Sequence, residues 1–183
     1  MRKWNALLSM GILALLLVHG IAGGLQLAGL LPGGSLVMKV LAWVMLGLIV
    51  LHTCIGVKLT ADTLTACKKS GASYFRENRL FWLRRVSGLA IMAFIACHLL
   101  IFTGTAQDGI VRLHLFEGMQ LITQILLVAS IAVHVLSNIK PLLLALGVRG
   151  FKDVFCDALL VLTVLLLCAG AAFVVYYVRW RIF

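Results

Sequence analysis

Long uncharged stretches alternate with short basic ones along the whole chain. No charged residue stands between Lys3 and Lys39, Lys39 and Lys58, Arg85 and Asp108, Glu117 and Lys140, or Asp157 and Arg179. A helix that crosses a bilayer needs about 20 consecutive apolar residues. The pattern therefore predicts five spans, near 5–30, 39–59, 84–104, 117–139 and 155–178. The first uncharged run also holds a turn, Leu31-Pro32-Gly33-Gly34, since proline followed by two glycines stops a helix. A cleaved signal sequence is the rival for the N-terminus, because Met1-Arg2-Lys3 precedes an apolar stretch. The apolar core of a signal sequence is only about 7–15 residues long, and this run exceeds it, so the first span is expected to be retained.

Composition narrows the class. Of 183 residues 63% are apolar and 12% charged, against roughly a quarter charged in ordinary soluble domains. There is too little polar residue to cover a water-facing surface. The expected fold is an all-α membrane protein forming a single domain over residues 1–183.

Charge sets the orientation. There are 16 Lys+Arg against 6 Asp+Glu, a net charge of +10. On a soluble domain that excess suggests nucleic acid; on this chain it reads as the basic cytoplasmic side of a membrane protein, and no nucleic-acid partner is expected. With the N-terminus inside, twelve basic residues fall on inner segments, among them Lys58, Lys68, Lys69, Arg84, Arg85, Lys140 and Lys152. Only Lys39, Arg112, Arg179 and Arg181 fall outside. The rule that basic loops stay in the cytoplasm places the N-terminus inside and the C-terminus outside.

No loop is large. The longest, about 60–83, is too short for a flavin, iron–sulfur or nucleotide domain. The five cysteines, Cys54, Cys67, Cys97, Cys156 and Cys168, form no CxxC pair. They read as small apolar side chains, and without C-x-x-C-H covalent c-type haem is excluded.

Four of the five histidines lie inside spans, one on each of the first four: His19, His52, His98 and His134. Ionisable side chains at membrane depth are costly and point to function. Depth sorts them into two levels. His52 and His134 each stand six residues before a cytoplasmic lysine, Lys58 and Lys140, about 9 Å from the helix end at 1.5 Å per residue. His98 stands thirteen residues after Arg85 and His19 sixteen after Lys3, roughly 20–24 Å deep by the same rise. In an up-down-up-down four-helix bundle helices I and III are diagonal partners, as are II and IV, and bundles place cofactors between facing helices. The expectation is two b-type haems with bis-histidine ligation, His52 and His134 on the inner haem and His19 and His98 on the outer. Removal of the first span would orphan His98. Structural zinc is the competing reading, but it needs four ligands at one point, and two separated levels do not converge. Purely structural histidines are the other alternative. Helix V carries no histidine and is expected to lie outside the bundle.

With these residues in view the chain resembles a known family. Residues 73–100, SYFRENRLFWLRRVSGLAIMAFIACHLL, resemble the start of the third helix in the single-chain, di-haem, five-helix cytochrome b anchors of succinate:quinone oxidoreductases. In those proteins a similar run leads to a ligating histidine; here it is Arg76 to Asn78, Phe81-Trp82, Arg85-Val86-Ser87-Gly88, then His98. LHTCIGVKLTA, with Gly56 four residues after His52, resembles their second helix. The resemblance covers His19 to about Pro141. It implies the same ligand pairing, an inner membrane of a bacterium, a flavoprotein and an iron–sulfur subunit on the cytoplasmic face, and a quinone, often menaquinone, toward the outer haem. Two acids of the epsilon-proteobacterial fumarate reductases are missing: Ala132 stands two residues before His134, and SLVMKVLAW at the start of helix II has none.

Further roles follow from chemistry. Trp82, Arg84, Arg85, Ser87 and Lys140 are candidate donors to the anionic propionates of the inner haem, the arginines serving equally as an ordinary basic flank. Gly11, Gly47, Gly56 and Gly88 are candidates for close approach of a flat macrocycle. His114, Glu117 and Gln120 are candidates for a quinone site at the outer face, against the plainer reading of a solvated loop. Two other classes compete. Di-haem anchors of hydrogenases or formate dehydrogenases tend to put two ligands on one helix, whereas each helix here gives one. A transporter is expected to show broken helices, and spans III to V contain no proline.

Overall fold

The computed structural model describes residues 2–71, 78–103, 106–107, 110–111, 116–148 and 151–182. Five helices carry nearly all of them: α1 (Arg2–Leu27), α2 (Leu36–Ser70), α3 (Arg79–Phe102), α4 (Gly118–Ala145) and α5 (Phe151–Ile182). Each is long and apolar enough to cross a membrane. A short antiparallel pair, β1 (Ala106–Gln107) with β2 (Ile110–Val111), interrupts the α3–α4 connection; Ala106 opposes Val111 and Gln107 opposes Ile110. The candidate quinone residue His114 lies outside the described residues.

Large apolar side chains face outward on every helix. Leu36 is 73% exposed, Leu100 80% and Leu167 68%. In water such a surface would aggregate; against lipid tails it costs nothing.

Two helices run well past the expected spans. α2 continues eleven residues beyond residue 59 to Ser70, about 52 Å of helix against a hydrocarbon core of roughly 30 Å. Its extension is polar but helix-compatible. Thr60, Thr63 and Thr65 return their hydroxyls to the carbonyls of Gly56, Leu59 and Ala61. Lys68 and Lys69 occupy the last turn, where positive charge complements the helix dipole. Gly71 then ends the helix in the left-handed region, φ 68°. Most of what reads as a loop over 60–83 is therefore helix.

α4 overturns the expectation that helices III to V lack proline. It runs to Ala145 with Pro141 inside it. A helical proline has no N–H for the carbonyl four residues back, here that of Ser137. α3 makes good the loss: Arg84 Nε donates to the Ser137 carbonyl at 3.0 Å. The helix continues because a side chain from elsewhere takes the place of the missing donor.

Helix packing is uneven. α1 packs on α2, and α3 packs on α4, most extensively of all. α1 touches α4 only briefly, and α5 lies along α4 and against α1. Two apolar clusters mark the ends of this contact. One gathers Leu27, Ile101, Phe116, Phe173 and Tyr176; the other gathers Ile139, Leu143 and Leu162, with Leu13, Leu17 and Phe155 against it. At the first end Arg179 of α5 donates to the carbonyl of Ala28 at 3.0 Å. The neighbouring Gly29 has φ 75°, and a Cβ there would lie 2.5 Å from the Arg179 guanidinium. The left-handed backbone favours glycine there, whereas the contact with the guanidinium is with the movable end of a long side chain.

Candidate functional site: two imidazole pairs

The four histidines of α1 to α4 meet two by two. The rings of His19 and His98 have centroids 6.1 Å apart, and those of His52 and His134 6.2 Å. Each pair joins helices that pack little or not at all on one another, α1 with α3 and α2 with α4. All four rings are half-buried.

The spacing is suited to a metal ion between the rings. Metal–nitrogen bonds of about 2 Å and about 1 Å from each nitrogen to its ring centre would put two imidazoles sharing one metal ion about 6 Å apart. Among the described residues no three or more His, Cys, Asp or Glu side chains converge on one point, so no four-ligand zinc site is assembled there.

Three of the rings are held through Nδ1, and the hydrogen-bond chains settle which nitrogen bears the proton. His134 Nδ1 lies 3.1 Å from the Arg84 carbonyl and 3.2 Å from Ser87 Oγ. A carbonyl only accepts, so Nδ1 is the donor and Nε2 keeps its lone pair. His52 Nδ1 is 3.4 Å from Ser9 Oγ. The one hydroxyl proton of Ser9 is directed to the Asn5 carbonyl at 2.8 Å, so the oxygen accepts from His52. His98 Nδ1 is 2.8 Å from Gln124 Oε1. His19 differs: among the described residues its ring has no hydrogen-bond partner. An Nδ1–H held by an oxygen is the usual support of a metal-ligating histidine.

No protein-family model, no curated protein and no solved structure matches this chain.

The remaining candidates fall into place by position. Gly88 is set against the His134 ring; a Cβ there would come within 3.2 Å of Cε1. Gly56 faces the Arg85 guanidinium, Gly11 makes ordinary contact with Leu48, and nothing lies within 4 Å of Gly47. Arg85 stacks over Phe81 at 4.9 Å, and Phe81 meets Trp82 edge-on. Lys140 is exposed at the same end of α4. Arg84 and Ser87, expected as propionate donors, have other duties: Arg84 Nε serves the Ser137 carbonyl, and Ser87 Oγ bridges the Arg84 carbonyl and His134. Gln120 Oε1 accepts from the Glu117 amide at 2.9 Å, so these two candidate quinone residues close the start of α4.

Sequence reasoning missed Ser9 and Gln124. Gln124 had a signal: it is an amide in the middle of an apolar run, and such groups in a membrane span seek a partner. Ser9 had none, because serine is common in any membrane helix.

Proposed function

We propose that this chain is the di-haem cytochrome b anchor of a succinate:quinone oxidoreductase. The observation that carries the reading is the pair of imidazole couples, each about 6 Å between ring centres and each joining alternate helices. His52 and His134 would hold the inner haem, and His19 and His98 the outer. Haem bound in this way supplies one-electron transfer across the membrane.

The chain's own residues prepare the two sites. Ser9, Ser87 and the Arg84 carbonyl keep Nδ1 of His52 and His134 protonated, so that Nε2 is the basic nitrogen. Arg85 places a fixed positive charge beside the inner pair, where anionic propionates would be stabilised. The His19–His98 site is flanked by the Phe102, Phe116 and Phe173 cluster, which keeps water from that end.

In this reading the five spans alternate in direction, with the N-terminus in the bacterial cytoplasm and the C-terminus outside. The basic end receives the iron–sulfur and flavoprotein subunits, and a quinone, menaquinone by the resemblance, reacts toward the outer haem. One ligand per helix favours this assignment over an anchor of hydrogenase or formate dehydrogenase type.

Purified protein is expected to give a b-type reduced-minus-oxidised spectrum and two haems per chain by pyridine haemochrome. A haem-free protein from haem-replete cells would overturn the reading. Co-purification with a subunit bearing covalent flavin separates the succinate-linked anchor from the other dehydrogenase types.

A finer outcome concerns Gly88. An alanine Cβ would press on Cε1 of His134, which must shift by a few tenths of an ångström. Gly88→Ala is expected to move the redox potential of the inner haem and leave the outer one unchanged, as read by potentiometric titration.

A further inference from the structure

Gln124 is the one large side chain in the described structure with no exposed surface at all, 0%. It lies on α4, ten residues from His134 and on the level of the other histidine pair. Its Oε1 is 2.8 Å from His98 Nδ1, and its Nε2 is 3.2 Å from Thr123 Oγ1. An amide can be turned over, exchanging oxygen and nitrogen, so its orientation needs an independent reason. Thr123 supplies it. The single hydroxyl proton of Thr123 is donated to the Gln120 carbonyl at 2.7 Å. Its oxygen is then an acceptor, only the amide NH2 of Gln124 can face it, and the amide oxygen is left facing His98. That oxygen has no proton to give, so His98 must carry its proton on Nδ1. The relay from the Gln120 carbonyl through Thr123 and Gln124 to His98 has one consistent direction.

We propose that Gln124 is the positioning residue of the outer haem: it holds His98 as the Nδ1–H tautomer and so presents Nε2 to the iron. This rests on the di-haem reading for the identity of the metal group, but the tautomer itself does not. An acceptor on Nδ1–H makes the other nitrogen more basic, which favours the ferric state. The outer pair is also supported unequally, since among the described residues His19 has no such partner. Gln124 therefore carries the hydrogen-bonded support of that pair alone, whereas the inner pair has one on each ring.

The first test needs no haem. In full-length apoprotein in bilayers, labelled with ¹⁵N-histidine, the ring signal of His98 is identified by its loss in His98→Gln. Expected is the Nδ1–H pattern in the wild type and in Gln124→Glu, which keeps an acceptor oxygen, and a mixture of tautomers in Gln124→Leu. Thr123→Val is the milder variant should Gln124→Leu fail to fold: it frees the amide to turn and is expected to give the mixture as well. An unchanged His98 signal in Thr123→Val, or in a folded Gln124→Leu, overturns the assignment. In the haem-loaded protein, Gln124→Leu is expected to raise the potential of one haem only, the one lost in His98→Ala; a shift in the other haem, or in neither, also overturns it. Absence of haem from the wild type would sink the di-haem reading, and the tautomer measurement would still decide the role of Gln124.

Discussion

On the di-haem reading proposed above, replacing His52 with alanine is expected to remove one haem and leave the other, so that the protein falls from two haems per chain to one. The reason is geometric. The His52 and His134 rings lie with centroids 6.2 Å apart and nearly perpendicular, and on that reading loss of one imidazole leaves the inner site with half of its ligands. The other pair is on a different level, held by different residues, and among the described residues shares no hydrogen bond with the first. His134→Ala should remove the same spectral component as His52→Ala, and His19→Ala and His98→Ala should both remove the other. Haem content by pyridine haemochrome, with low-temperature spectra or electron paramagnetic resonance to separate the two centres, reads the outcome. If His52→Ala and His134→Ala deplete different centres, or if either leaves both centres bis-ligated, the pairing is wrong.

The second large effect concerns stability. Arg84→Leu leaves the Ser137 carbonyl without a donor inside a helix packed in the membrane. An unsatisfied backbone group in hydrocarbon costs several kcal/mol, and a hydrogen bond from a charged donor contributes about 1.5–3 kcal/mol. We expect Arg84→Leu to lower stability by about 2 kcal/mol on that account. In Pro141→Ala the N–H of residue 141 is restored and can reach the same carbonyl, so there the arginine should matter by under about 1 kcal/mol. A double-mutant cycle of the two substitutions, followed by unfolding in detergent, isolates this coupling, because other consequences of losing the charge occur in both backgrounds. Additive effects would mean that the arginine does not stand in for the proline's missing donor. The cycle leaves the His134 support intact, since the Arg84 group that accepts from His134 is its backbone carbonyl.

The parts of the architecture legible in the sequence were those set by burial and charge. The spacing of His52 and His134 from Lys58 and Lys140, with the expected alternation of spans, already sorts the histidines into the two couples seen in the structure. The extension of α2 was hidden because threonine, lysine and aspartate are common in loops; in the structure the threonine hydroxyls close back on their own helix. The continuation of α4 through Pro141 was hidden because its donor, Arg84, lies 53 residues away in the chain. The supports of the imidazoles were hidden for the same reason: Ser87 and His134 are 47 residues apart, and His98 and Gln124 26. The imidazoles show themselves by residue type and by their place in an apolar run, whereas the groups that hold them show themselves only in three dimensions.

The uneven packing of the helices bears on assembly. α1 with α2 and α3 with α4 are two hairpins with little direct contact between them, and α5 is the element that lies against both. Its Arg179 donates to the carbonyl of Ala28, just past the end of α1. During synthesis the two hairpins thus enter the membrane before the piece that binds them together exists. Until α5 is in place little ties α1 to the α3–α4 hairpin beyond its brief touch on α4, and on the di-haem reading proposed above that is the interval in which a rigid planar cofactor would enter without prising apart a finished structure.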